Sequence, residues 1–182
     1  MRQLRLGLVL LLGFAACGGS PMSSSSPTAA SPHARFEVAG STPSASARMV
    51  CATEGKEEIA ASVGVDTVRP LAGQWRQHVY SCVYAYGGGR SMTLSVKELS
   101  SEPATRAYFD RLGVELGRGR LLQGLGQGAF QTRNGSTVVR KDDLVLLVDD
   151  SRLPAEFGTP SSARADVSLS VAATIMGCWT GA

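Results

Sequence analysis

The chain has 182 residues and a formal net charge of +3, with 18 Lys and Arg residues against 15 Asp and Glu residues. Two of the cations lie in an N-terminal segment that we predict to be removed, which leaves a net charge near +1. A balance so close to neutral is no basis for nucleic-acid binding. The chain that follows the N-terminal segments is long enough for one domain with a single core.

The first predicted element is a signal sequence. Arg2 and Arg5 precede an uncharged apolar run from Leu6 to Ala16, and the run ends at Cys17. A positive head followed by about 7–15 apolar residues is typical of a secretory signal, whereas a membrane-spanning helix needs roughly 20.

The end of the apolar run is similar to a lipobox, the site at which bacteria acylate a cysteine and cleave the chain just before it. The segment is Phe14-Ala15-Ala16-Cys17, in which Phe14 takes the place of the usual leucine. Two or three acyl chains on Cys17 would anchor the protein durably, because one chain alone binds only marginally. We predict a lipoprotein signal peptide at residues 1–16 and lipidation of Cys17. The protein would then be anchored at the extracytoplasmic face of the cell membrane; the alternative is that Cys17 only ends a signal peptide or an uncleaved anchor.

The next segment, residues 17–47, is rich in Ser, Ala and Pro. Such a composition buries too little apolar surface to offset the entropy lost on ordering, so we predict a disordered tether. Residues 48–182 then form the globular domain.

The first half of the domain shows one helical and two strand patterns. Glu54 in the first turn, and Ile59 and Val63 on one face, predict a helix over Thr53–Val63. Alternation of side chains predicts strands at Gln77–Tyr86 and Ser91–Glu98, joined by a turn of three glycines.

The second half repeats this order with more strands. Ser101-Glu102-Pro103 predicts the start of a helix that runs to about Gly117, and a glycine-rich segment follows it. Three strands come next, namely Ala129–Arg133, Thr137–Arg140 and Leu144–Asp149. A last helix then begins at Thr159-Pro160. The order α-β-β-α-β-β-β-α predicts an α+β fold, a single domain with an antiparallel sheet of about five strands and helices packed on one face.

Three cysteines fall in the predicted domain, namely Cys51, Cys82 and Cys178. Outside the cytoplasm a disulfide is the expected state, and three cysteines allow one bond chosen from three pairings. The residues themselves leave that choice open.

Cys51 opens the domain, Cys82 lies in the strand segment Ser-Cys-Val-Tyr, and Gly124-Leu125-Gly126-x-x-Ala129 precedes the hairpins. With this layout the chain from about Val50 to Trp179 resembles the small, uncharacterised lipoproteins of actinobacteria, which carry a Ser/Pro tether and one compact domain. The resemblance implies a cell-envelope lipoprotein with a disulfide between Cys51 and Cys82, and it implies no known activity. Cys178 lies outside the usual pair.

No catalytic or metal-binding pattern is present in the domain. His78 is its only histidine and stands four residues from Cys82, roughly 13 Å along an extended strand and too far for a thiolate–imidazole pair. The glycine-rich segment lacks the ending of a phosphate-binding loop and leads into a strand. The acidic pairs Asp142-Asp143 and Asp149-Asp150 could bind a hard cation, but solvated turn carboxylates are the simpler explanation. We therefore predict no catalytic residues, no metal and no cofactor.

Three tyrosines share one strand face with Cys82, namely Tyr80, Tyr84 and Tyr86. If helices cover this face, the tyrosines belong to the core; if it is open, they form a candidate binding face suited to a protein or a glycan.

These patterns together predict a membrane-anchored cell-envelope lipoprotein with a non-catalytic binding domain. Its partners would be the membrane, through acyl chains on Cys17, and an envelope protein or glycan. The alternatives are an envelope hydrolase, which would need His78 to meet a carboxylate from distant sequence, and a carrier of an apolar ligand held between sheet and helices.

Overall fold

The computed structural model describes residues 39–180. The predicted signal peptide, Cys17 and most of the predicted tether lie outside the described residues. Helix α1, Ala45–Arg48, begins inside the predicted tether, and its N-cap Ser44 accepts a hydrogen bond from the backbone of Ala47. The Ala47 side chain, which precedes the predicted domain boundary at residue 48, is buried in the larger core.

The N-terminal part of the domain is helical. A 3-10 turn at Met49–Cys51 links α1 to helix α2, Thr53–Val63, whose bounds agree with the prediction. Gly64 ends α2 in the left-handed conformation, at φ 69°, and its N–H donates to the carbonyl of Ala60. The backbone oxygen of Thr159 occupies the place where the Cβ of a side chain at position 64 would stand. Both the positive φ and this close contact therefore require glycine there.

The rest of the domain is built on one antiparallel sheet of seven strands in the order β1-β2-β3-β7-β6-β5-β4. The strands are β1 Gln74–Arg76, β2 Val79–Ala85, β3 Ser91–Glu98, β4 Arg118–Leu122, β5 Gly128–Thr132, β6 Thr137–Lys141 and β7 Leu144–Asp149. A small hairpin, β8 Glu156–Phe157 and β9 Ser162–Ala163, follows the sheet. Helix α3, Glu102–Glu115, lies between β3 and β4, and helix α4, Arg164–Thr180, ends the described chain.

The α+β class and the antiparallel sheet are confirmed, but the strand count of about five is wrong. The two additional strands, β1 and β4, form the edges of the sheet and are mostly exposed, so neither shows the alternation that marks a half-buried strand. The last helix also begins later than predicted, because Thr159-Pro160 lies in the turn of the β8–β9 hairpin.

The predicted placement of all helices on one face is wrong as well. Two separate cores lie on opposite sides of the sheet: the larger joins α1, α2 and α4 to it, and the smaller joins it to α3. On β6, Val138 packs in the smaller core and its neighbour Val139 in the larger, as the alternation of a strand requires. Strands β5–β7 are thus covered on both sides, which explains why nearly all of their residues are buried, polar ones included.

Helix α3 covers only part of its side of the sheet. The chain enters α3 from β3, near the middle of the sheet, and continues from α3 into β4 at the far edge. Between these strands α3 packs on β6 and β7. Within residues 39–180, no helix therefore lies over β1, β2 and most of β3 on this side.

A disulfide joins Cys51 to Cys82, with a Cα–Cα distance of 5.6 Å. It ties the 3-10 turn to the second strand of the sheet and confirms the pairing that the resemblance implied. Cys178 is buried in α4. None of the described helices is both long enough and apolar enough to span a membrane.

Candidate functional site

The tyrosine face of β2 belongs to the core, so the structure corrects the candidate binding face. Tyr84 and Tyr86 are 0% and 2% exposed, and Tyr80 is half-buried against the same core. The Tyr84 hydroxyl donates to the carbonyl oxygen of Val50 at 2.8 Å. Burial raises the pKa of both Tyr84 and Tyr86. The physical reason is that the helices before β1, together with α4, cover this side of the strand.

His78 lies on the surface, in the turn between β1 and β2. Its ring meets the ring of Trp75 edge-on at 5.7 Å, and the Trp75 indole N–H donates to the carbonyl of Ser41 at 2.8 Å. Among residues 39–180, no group of three or more His, Cys, Asp or Glu side chains is placed to hold a metal ion.

The two acidic pairs have structural contacts. Asp142 ends β6 with a positive φ of 53°, and the side chain of Gln127 fixes it by donating to Oδ1 at 3.1 Å and accepting from the Asp142 N–H at 2.9 Å. Gln127 belongs to the glycine-rich segment, which forms the connection between β4 and β5.

Asp150 is the most unusual ionisable group of the described chain. Its side chain is fully buried; Ser136 Oγ donates to Oδ1 at 3.0 Å, Arg164 lies 3.9 Å from the same oxygen, and Oδ2 has no hydrogen-bond partner. Burial raises the pKa of Asp150 from 3.8 to about 6, although Ser136 and Arg164 act in the opposite direction.

We expect Asp150→Asn to flatten the dependence of stability on pH. The folded state of the parent holds its proton up to a higher pH than the unfolded state, so the free energy of unfolding falls as pH rises from about 4 to 6 and changes little above that. A shift of about two pKa units corresponds to roughly 3 kcal/mol, which is an upper bound for the change that the substitution removes. Urea denaturation at pH 4.5 and pH 7.5 measures it. Asp166→Asn, at an exposed site in the first turn of α4, is the control. Identical pH profiles of the parent and Asp150→Asn would contradict the raised pKa of Asp150.

The uncovered side of β1–β3 is the largest feature that the core does not use, and we call it the open face. On these strands every second side chain points away from the larger core, as Val83 and its cross-strand neighbour Thr93 do. All of these side chains are half-buried or exposed, whereas the alternate ones on β2 and β3 are mostly buried. The open face consists of Gln74, Arg76, Val79, Ser81, Val83, Ala85, Ser91, Thr93, Ser95 and Lys97.

The open face has a distinct chemistry. Its centre is made of small hydroxyl and aliphatic side chains, it carries no aromatic ring, and none of its ten residues is acidic. The neighbouring acid on this side of the sheet is Asp149, which lies opposite Thr93 on β7. The Asp149 carboxylate accepts from the Ser151 N–H at 3.0 Å, and Ser136 Oγ lies 3.4 Å from it.

A groove of about 430 Å³ opens at one end of the open face. Its walls are apolar and include Val68 and Val83, which are 62% and 52% exposed. The three glycines of the β2–β3 turn close it, and the side chains of Arg69 and Arg90 line it. Arg90 is held in place because its Nε donates to the carbonyl of Gly87 at 2.5 Å and its guanidinium lies 5.5 Å from the centre of the Phe157 ring.

The sequence predicts two of the three strands of the open face, β2 and β3, and misses the edge strand β1. The alternation of Val79, Ser81, Val83 and Ala85 is present in the sequence, but the opposite side of β2 carries the tyrosines, and aromatic residues are common in binding sites. Which side α3 would leave uncovered depends on the β3–α3–β4 crossover, and no local pattern reports that.

A second surface groove, of about 530 Å³, lies between the glycine-rich segment and α4. Leu125, Ala173 and Met176 form its apolar part.

Comparison with known proteins finds no similar protein. No protein-family model, no curated protein and no solved structure matches the chain.

Proposed function

We propose that the protein is a lipid-anchored lipoprotein of the cell envelope whose folded domain binds another envelope protein through the open face. The signal sequence and lipobox-like segment at Cys17 support the anchor. The observation that carries the binding function is a sheet side that α3 leaves bare, next to a groove with apolar walls.

The size of the open face indicates the kind of complex. Eight residues of β3 extend over roughly 26 Å, and three strands spaced by about 4.8 Å give the face a width of roughly 10–15 Å. The resulting area of several hundred Å² is smaller than the roughly 800 Å² that each partner buries in a standard protein interface. The face therefore suits a short segment of a partner or a transient contact. Anchoring both molecules to one membrane raises their effective concentration and compensates for modest affinity.

The chemistry of the open face favours a protein over a glycan. Aromatic side chains offer the large rigid surfaces on which sugar rings pack, and the open face has none. Small hydroxyl and aliphatic side chains instead allow close approach of a polypeptide. A hydrolase has less support, because His78 lies exposed beside Trp75 on the surface.

The test is photo-crosslinking of the full chain in its own host cell. p-Benzoylphenylalanine replaces Val83 on the open face, and in a matched control it replaces Val114, an 84% exposed valine on α3. We expect irradiation to yield a discrete protein adduct from position 83 but not from position 114. The adduct should be found in the membrane fraction, and Cys17→Ala should release the chain from that fraction because it removes the acylated thiol.

Three outcomes would contradict parts of this proposal. Equal adduct patterns from the two positions would show that the open face is not a specific site. An adduct that a muramidase degrades and a protease leaves intact would replace the protein partner with a glycan. Retention of the Cys17→Ala chain in the membrane fraction, with an intact mass that shows no acyl chains on the parent, would remove the lipid anchor.

A further inference from the structure

The cations of the open face are arranged in two groups, one at each end. Arg76 and Lys97 both flank Val79, since β1 pairs Arg76 with Val79 and β3 pairs Val79 with Lys97. Arg69 and Arg90 line the groove at the other end, beside Ala85. Between these groups the exposed side of the strands is uncharged.

None of these four cations takes part in an ion pair of the described chain, whose ion pairs lie on α3 and at Arg118, Arg140 and Arg164. Backbone carbonyls hold two of them instead. Lys97 Nζ donates to the carbonyl of Gln77 at 2.5 Å, as Arg90 Nε does to that of Gly87. An arriving carboxylate therefore meets Lys97 and Arg90 already positioned, and it has no ion pair to displace at any of the four cations, which lowers the cost of ordering them.

Like charges left without ion-pair partners mark a site for the opposite charge, because a binding surface and its partner carry complementary potentials. Among the strand residues paired with the open face, the one acid is Asp149, and its carboxylate already accepts from the Ser151 N–H. Glu156 lines a neighbouring pocket with Arg90, but the two side chains form no ion pair. The four cations of the open face and its groove thus have no ion-pair partner within the described residues.

The distance between the two groups sets the length of the matching segment. Val79 and Ala85 are six residues apart on β2, about 20 Å in an extended strand. An extended partner segment needs about six or seven residues to cover the same distance.

From these observations we infer that the partner presents an extended acidic segment of about six or seven residues. The segment lies along β2, with carboxylates at the Arg69–Arg90 end and at the Arg76–Lys97 end and with small uncharged residues over Ser81 and Thr93. The inference rests on the proposed binding function and names the chemistry of its partner.

The probe is a fluorescein-labelled peptide, EESVSEE, titrated with the detergent-solubilised full chain and followed by fluorescence anisotropy. We expect binding that weakens steeply as salt rises, since contacts between exposed charges are screened. The double variant Arg69→Glu with Arg90→Glu should weaken binding on the order of tenfold or more, and Arg76→Glu should weaken it as well. A lysine version of the peptide, KKSVSKK, should not bind.

A matched double variant controls for the change in net charge. Arg106→Glu with Arg133→Glu makes the same change at exposed positions away from the open face, and we expect it to alter affinity less than about twofold. Equal weakening by both double variants would overturn the inference, because attraction would then depend on overall charge alone. Tighter binding of a polyphosphate chain than of the peptide would overturn it too. Unchanged urea midpoints show that the variants remain folded.

Crosslinking in cells separates this inference from the proposed function. If the Val83 probe gives the same protein adduct in the parent and in the Arg69→Glu, Arg90→Glu background, the acidic segment is wrong and the binding function stands. If the parent itself gives no adduct, the binding function fails and the inference fails with it. Loss of the adduct in the charge-reversed background alone supports both.

Discussion

Phe130→Ala is expected to lower the free energy of unfolding by about 3–5 kcal/mol, the range for removing a large aromatic side chain from a core. Phe130 is fully buried at the centre of the smaller core, and its ring centroid lies 5.0 Å from that of Phe109 in an edge-on contact. The guanidinium of Arg118 lies 4.8 Å from the ring and closes the core from outside. Within the described residues this core has five buried members, so the cavity left by the substitution has few neighbours that can move to fill it.

Leu121→Ala is the matched control for this substitution. Leu121 lies directly opposite Phe130 on β4 but is 60% exposed, so we expect its truncation to change stability by no more than about 0.5 kcal/mol. Urea denaturation followed by circular dichroism measures both variants. A similar loss of stability in the two variants would mean that α3 does not form a second core on this side of the sheet.

Cys51→Ser is expected to lower the free energy of unfolding by about 2–4 kcal/mol under oxidising conditions. The disulfide joins Cys51 to Cys82 across a sequence separation of 31 and closes a loop that contains all of α2 and β1, so its loss frees a large part of the unfolded chain from a constraint. Cys82 is buried beneath the helices, so the substitution also leaves its unpaired thiol in the larger core.

Reduction of the parent provides the control. With excess dithiothreitol, the denaturation midpoint of the parent should fall to that of Cys51→Ser, while the midpoint of the variant should not move. Cys178 is the remaining cysteine of the described chain, and Cys178→Ala should leave the effect of the reductant intact. Coinciding midpoints of parent and Cys51→Ser without reductant would show that the bond does not stabilise the domain.

The proposed binding surface has a supported back. The disulfide and the larger core hold the helical layer against one side of β1–β3, opposite the open face. Rigid support behind a binding surface preserves its geometry when the partner arrives, which favours affinity because less ordering is required.

Several elements were determined by local sequence alone. Ser101-Glu102-Pro103 combines a capping hydroxyl, an acid and a first-turn proline, and α3 begins with Ser101 as its N-cap. The strict alternation of Met92, Leu94 and Val96 predicted the bounds of β3 correctly, since every second residue there is buried. Such signals are readable because each depends on residues within a few positions of one another.

Other features could be decided only by the tertiary structure. Strand β4 is a strand because it pairs with β5, although its own residues are mostly exposed and carry no alternating pattern. The position of the open face depends on where α3 lies, and the packing of Phe109 and Leu112 against β5–β7 places α3 there and not over β2. The sequence therefore determined most of the helices and central strands and the class of fold, and tertiary packing determined the edge strands and which side of the sheet α3 leaves uncovered. The physical reason is that caps and alternation are local, whereas the exposure of a sheet face depends on long-range contacts.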